Sequence, residues 1–179
     1  MKLYRLLALA AIVTLSAAGA RAATAPPTPV PDEKPDLSSM AFYIGTWDCT
    51  SMVRGSKRPN TTVYTMDLDG RWIKSHDTAP SFDKYRSRTI VTDSWTTYNP
   101  DMKKWVSTSV DNFGGYGVAT SSGWKGNEIT FTSVLTNDGS TGSDTLTKVS
   151  ATETKDVATG KDKMGHASPP VTTTCMKQK

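Results

Sequence analysis

From residue 42 onward the chain is a series of short β-prone runs rich in Thr, Ser, Val, Tyr and Trp, each ended by a turn signal. No stretch carries a long apolar stripe of helical period. The first run is 42–53, Phe-Tyr-Ile-Gly-Thr-Trp-Asp-Cys-Thr-Ser-Met-Val, and 54–60, with Gly55 and Pro59, breaks it. Runs 61–68 and 71–79 meet across Asp69-Gly70, a strong hairpin signal because both central residues of a type I′ turn need positive φ. A long run, 85–98, ends at Asn99-Pro100-Asp101, and 103–112 follows. Beyond Phe113-Gly114-Gly115 come 116–124 and, after Lys125-Gly126-Asn127, 128–136. The turn-rich segment 137–142 leads into 144–150, 152–158 and finally 170–177. This is an all-β chain of nine or ten sequential strands. Antiparallel strands in such a series close into an up-and-down β-barrel, which leaves no free edge. A two-sheet β-sandwich is the alternative.

The alternation within the runs is incomplete. Run 116–124 places Tyr116, Val118 and Trp124 on one face, and 128–136 aligns Ile129, Phe131 and Leu135. In 85–98, by contrast, Tyr85, Val91 and Trp95 share their parity with Ser87 and Asp93, while Arg86 and Arg88 share theirs with Ile90 and Tyr98. A packed sandwich core does not accommodate that mixture, whereas a lumen holding water or a ligand does.

The N-terminus is different in kind. Lys2 and Arg5 precede the apolar run 6–15, and Ala20-Arg21-Ala22 matches the small-residue site for signal peptidase. The run is shorter than the ~20 residues a membrane span needs, so residues 1–22 read as a cleaved secretory signal and the mature chain as periplasmic or secreted, with no membrane insertion after cleavage. Residues 23–40 hold five of the chain's ten prolines and read as an extended linker. The remainder, 41–179, is enough for one domain.

Export changes the charge balance. The formal +4 of the full chain includes Lys2, Arg5 and Arg21 of the leader, and without them 18 basic side chains face 17 acidic ones. A near-neutral chain gives no reason to expect nucleic acid as a partner. Nothing in the sequence fixes an oligomeric state.

Two cysteines, Cys49 in the first strand and Cys175 in the last, suggest a disulfide in an oxidising compartment. In a closed barrel those strands are neighbours, so the bridge would staple the closure; two buried free thiols are the alternative. The histidines, His76 and His166, stand far apart without metal-ligand spacing, and neither G-x-S-x-G nor a phosphate-binding loop is present. No catalytic motif and no cofactor signature is found.

Ile44-Gly45-Thr46-Trp47 resembles the G-x-W block that opens lipocalins and other calycins. The stretch 98–114, from Tyr98-Asn99-Pro100-Asp101 through Lys103-Lys104-Trp105 to Asp111 and Gly114, resembles the central block of a bacterial calycin-like family of unknown function, and 123–129 fits it too. The resemblance implies a calycin-like barrel in which Gly45 and Trp47 are structural, Trp47 plugging the closed end; the family has no settled activity, so it speaks to the fold more than to the function. The family tends to end its last strand with an aromatic residue and Arg; here Thr173-Thr174-Cys175-Met176-Lys177 stands instead, a departure that counts against a cation packed over Trp47. Haem-binding relatives of the nitrobindin type use a late histidine, for which His166, beside Gly165 and Pro169-Pro170, is the one match.

Three functional readings follow: a binding module for a small apolar or amphipathic ligand, a structural or interaction protein with a filled lumen, and an enzyme or haem protein. For the first, the expected ligand-binding residues are Trp72, His76, Arg88, Trp95, Trp105 and Tyr116, being large rings with a polar edge or polar groups awkward within a strand. Arg88 and Trp95 are seven positions apart, so both can face the lumen only if a bulge lies between them.

Overall fold

The computed structural model describes residues 34–81 and 88–179. The leader, 1–22, and most of the proline-rich linker lie outside the described residues. Eleven strands follow one another: β1 (Gly45–Val53), β2 (Ser56–Asp67), β3 (Trp72–Ala79), β4 (Ile90–Asn99), β5 (Lys104–Asp111), β6 (Tyr116–Ser121), β7 (Trp124–Lys125), β8 (Glu128–Thr136), β9 (Thr141–Lys148), β10 (Glu153–Lys161) and β11 (Ala167–Lys177). All described pairings are antiparallel, β1 pairs with β11, and the β6–β8 pairing closes the sheet. Ten strands thus form an up-and-down barrel, and the two-residue β7 is a side pairing on β8. The sandwich is excluded.

The turns refine the reading. The break expected over 54–60 is confined to Arg54-Gly55, whose φ of 49° and 79° suit a two-residue hairpin loop, with Val53 opposite Ser56. Pro59 is tolerated inside β2 because β3 pairs with β2 only from Thr61 onward, so no partner on that side needs its missing N–H. At Asp69-Gly70 the hairpin stands where expected but its turn is wider. Leu68 also takes a positive φ, the Asp67 carboxylate accepts from the Leu68 N–H, and the closing pair is Asp67 with Trp72.

A bulge corrects the expected face of β8. Val118 pairs with Leu135 but Ala119 pairs with Ser133, so Val134 is an extra residue and the alternation reverses there. Ile129 is buried while Leu135 is half exposed, at 52%.

A short 3₁₀ segment, Ser38–Tyr43, plugs one end of the barrel. It sends Met40 and Tyr43 inward, and with Leu37, Trp47, Ile73, Trp105 and Ile129 they form the packed core. Leu37 and Met40, within the stretch read as linker, are therefore part of the core. Trp47 is 1% exposed, and its indole N–H donates to the Tyr43 carbonyl at 2.7 Å. Lys177 corrects the expectation that Trp47 lacks a cation: its ammonium lies 5.6 Å from the ring centre and donates to the Phe42 carbonyl at 2.9 Å. Gly45, at φ 129°, occupies a conformation that side chains disfavour, beside the Lys177 stem.

Cys49 and Cys175 are bonded. They stand directly opposite in the β1–β11 register, with Cα atoms 4.0 Å apart. Among the described residues no helix is long and apolar enough to cross a membrane.

Candidate functional site

The register determines which side chains enter the lumen. Ser75 pairs with Ser94 and Ser94 with Ser109; Ile73 pairs with Thr96, Thr96 with Ser107, and Ser107 with Ala119. Directly paired residues share a face, so this set runs around one wall and leaves a cavity of about 430 Å³ above the plug. The floor is apolar, made by Met40, Ile73, Phe131 and Leu146 beside the rings of Tyr43 and Tyr64. The walls carry Ser75, Ser94, Thr96, Ser107, Ser109, Ser133 and Ser143, with Asp144 on β9. Ser, Gly and Ala at these positions are too small to meet across the axis, so the space stays open.

Asp156 on β10 pairs with Leu146 and with Thr173, and therefore shares the inner face with Asp144, one diagonal step away. Among the described residues neither carboxyl has a hydrogen-bond or ion-pair partner; Asp156 Oδ1 is buried, whereas Asp144 opens onto the cavity. Burial, and secondarily the neighbouring Asp144, pushes the Asp156 carboxyl up to about 7. Burial also raises Asp144. A third inward acid, Asp77, is satisfied, accepting from the Asn60 amide and from the Thr62 hydroxyl at 2.7 Å. Burial raises the Tyr64 phenol first, and the negative fields of Asp156, Asp77 and Asp144 raise it further.

Asp156 makes a pH prediction. Below about pH 4 it is protonated whether folded or unfolded. Between there and about 7 the unfolded chain ionises while the folded one holds its proton, so this residue's contribution falls as pH rises and reaches its minimum above pH 7. Asp156→Asn is expected to stabilise the protein at pH 8 by on the order of 2 kcal/mol and to have a much smaller effect at pH 4, where the unfolded carboxyl is only about half ionised. Urea midpoints across that range test it, and an equal effect at both ends would show that the buried charge of Asp156 is not its cause.

The six residues expected to line the lumen are elsewhere. Ile73 and Ser75 point inward, so Trp72, Lys74 and His76 are on the outer face of β3, as Asp93 and Trp95 are on β4. There Asp93 meets His76 at 2.7 Å and Lys74 at 3.7 Å, Lys74 lies 5.1 Å from the Trp95 ring centre, and the Trp95 N–H donates to Asp67 at 2.9 Å. Arg88 precedes β4 altogether; it is exposed, donates to the Asn112 carbonyl and stacks on Phe113. No bulge is needed to reconcile it with Trp95, since neither faces inward. Tyr116 is outward and half exposed. Trp105 alone enters the barrel, where it packs edge-on against Tyr98 in the core rather than along the cavity.

His166 lies in the β10–β11 connection, exposed and engaged with Asp162 at 3.1 Å. With His76 outside and His166 in a connection, neither histidine faces the lumen, so the late histidine of the nitrobindin-type reading has no counterpart there. A second crease, about 450 Å³, runs along β6 and β8 between Thr120, Thr130, Thr132, Lys104, Lys125 and Glu128. It lies on the outer surface, where water competes for every polar contact.

The cavity residues were signalled by hydroxyls at every second position, Ser94 with Thr96 and Ser107 with Ser109. The more conspicuous rings point elsewhere. No protein-family model matches this chain, and no curated protein matches it.

Proposed function

We propose that this protein is an exported, lipocalin-like binding module whose lumen holds a small, partly apolar molecule. The observation that carries the reading is the cavity of about 430 Å³, with an apolar floor and a hydroxyl-rich wall. Its volume and its mixture of surfaces are those of a small-molecule site. A lumen serving only as structure is better filled by large side chains, and this one is lined by serines where leucine would fit. Export is supported by the leader sequence and by the disulfide.

The test uses N-phenyl-1-naphthylamine, a neutral fluorophore that brightens in apolar surroundings. It is expected to bind one per barrel. Ser107→Trp, which places a ring inside the open lumen, is expected to weaken binding at least tenfold, and Tyr116→Ala, outside, to leave it unchanged. A folded Ser107→Trp variant that binds as well as the parent would overturn the reading.

A further inference from the structure

We propose that the lumen selects a small organic cation, an amine carried on an apolar body, with Asp144 and Asp156 as its anionic seat; this rests on the binding reading above. The two carboxyls sit diagonally on the inner face of β9 and β10, beside the apolar floor that would take the body of such a molecule. Among the described residues neither has a hydrogen-bond or ion-pair partner; Asp144 opens onto the cavity, and Asp156 Oδ1 is buried behind it on the same face. Independently, the hydroxyl of Tyr43, a residue only 4% exposed that borders the cavity, is also buried without a partner. Two buried polar atoms beside this cavity, Asp156 Oδ1 and the Tyr43 hydroxyl, are thus left unsatisfied, at a cost that a protein rarely carries without a ligand to offset it.

The sign of the missing partner follows from the charges around it. The cations of the inner face are committed elsewhere: Lys148 lies 4.3 Å from the Phe42 ring centre and Lys177 holds the Phe42 carbonyl, both at the plugged end. Arg58 stands on the same cross-strand row as Asp156, three strands away through Ser51 and Thr173, and is engaged with a partner other than the two acids, its Nε buried without a hydrogen bond. Asp77 adds further negative potential near Tyr64, so an anion entering the lumen meets three acids. A metal ion is a poorer fit than an organic cation, because among the described residues no group of three or more His, Cys, Asp or Glu is placed to hold one. An amine can donate to both carboxyls, and the Tyr64 and Tyr43 rings offer faces to its charge.

The experiment compares three probes of one shape, 2-phenylethylamine, 2-phenylethanol and phenylacetate, by displacement of the neutral fluorophore from the purified protein at pH 8. The amine is expected to bind at least tenfold more tightly than the alcohol, and phenylacetate not measurably. The double substitution Asp144→Asn with Asp156→Asn keeps the shape of both side chains. It is expected to weaken the amine at least tenfold while the fluorophore stays within twofold. Equal binding of amine and alcohol, tighter binding of the alcohol, or an amine affinity unmoved by the double variant would overturn the cation inference and leave the binding reading standing. If the fluorophore itself fails to bind, both fall.

Discussion

Trp47→Ala is expected to cost the fold about 3–5 kcal/mol, the range for removing a large buried ring. The ring is nearly inaccessible, and its N–H holds the Tyr43 carbonyl, so the substitution leaves both a void and an unpaired backbone acceptor. It also removes the surface on which the Lys177 ammonium rests while gripping the Phe42 carbonyl. Those contacts tie the plug to the first and last strands. Urea unfolding is expected to move to a lower midpoint with little change in slope, and limited proteolysis to cut near Ser38–Tyr43 before the barrel opens. Trp47→Phe keeps most of the packing and loses the hydrogen bond, so it should cost about 1–2 kcal/mol. Trp95→Ala, on the outer face, should cost less than Trp47→Ala by a wide margin, since its ring is only partly buried. Equal losses at the two tryptophans would mean that the plug is not held as described.

That contrast between two tryptophans also marks how far the sequence could be read. The strands were legible because their ends carry backbone chemistry: Asn99-Pro100-Asp101 and Lys125-Gly126-Asn127 stop β4 and turn the chain into β8, which spans the expected 128–136. Trp47 was legible because Gly45 and its neighbours form a local signature. Which face of each strand enters the barrel was not, because parity needs an origin and one displaced residue reverses it. In β4 the inward set is Ile90, Ser94, Thr96 and Tyr98; Arg88 shares their spacing and belongs to the same β-prone run, yet it lies before the strand. In β8 the extra Val134 turned Leu135 outward, a change invisible without the partner strand. The acids of the lumen were hidden for another reason. No motif in the sequence marks Asp144 or Asp156, and only the pairing of β9 with β10 brings both to the inner face beside Leu146.

The disulfide carries the second large effect. Cys49 and Cys175 are 126 positions apart, so the bond joins nearly the whole described chain into one loop. Chain-entropy reasoning gives about 5 kcal/mol for a loop of that length, and native bonds more often contribute 2–4. Part of the constraint is redundant in this barrel, because β1 and β11 also pair from Trp47–Lys177 to Met52–Thr172. The lower range is therefore expected: Cys49→Ala with Cys175→Ala should lose about 2–4 kcal/mol. The loss should appear as a lower urea midpoint, and reduction of the parent protein should reproduce much of it. Both cysteines are buried, at 5% and 7% exposure, so reduction should be slow in the native state and fast once urea opens the barrel. The seam would then be the first place where the closed sheet parts, exposing the edges of β1 and β11 to other chains. Aggregation of the reduced protein at concentrations where the oxidised one stays monodisperse is the corresponding observation. A double alanine variant as stable as its parent would mean that the strand ladder alone closes the barrel.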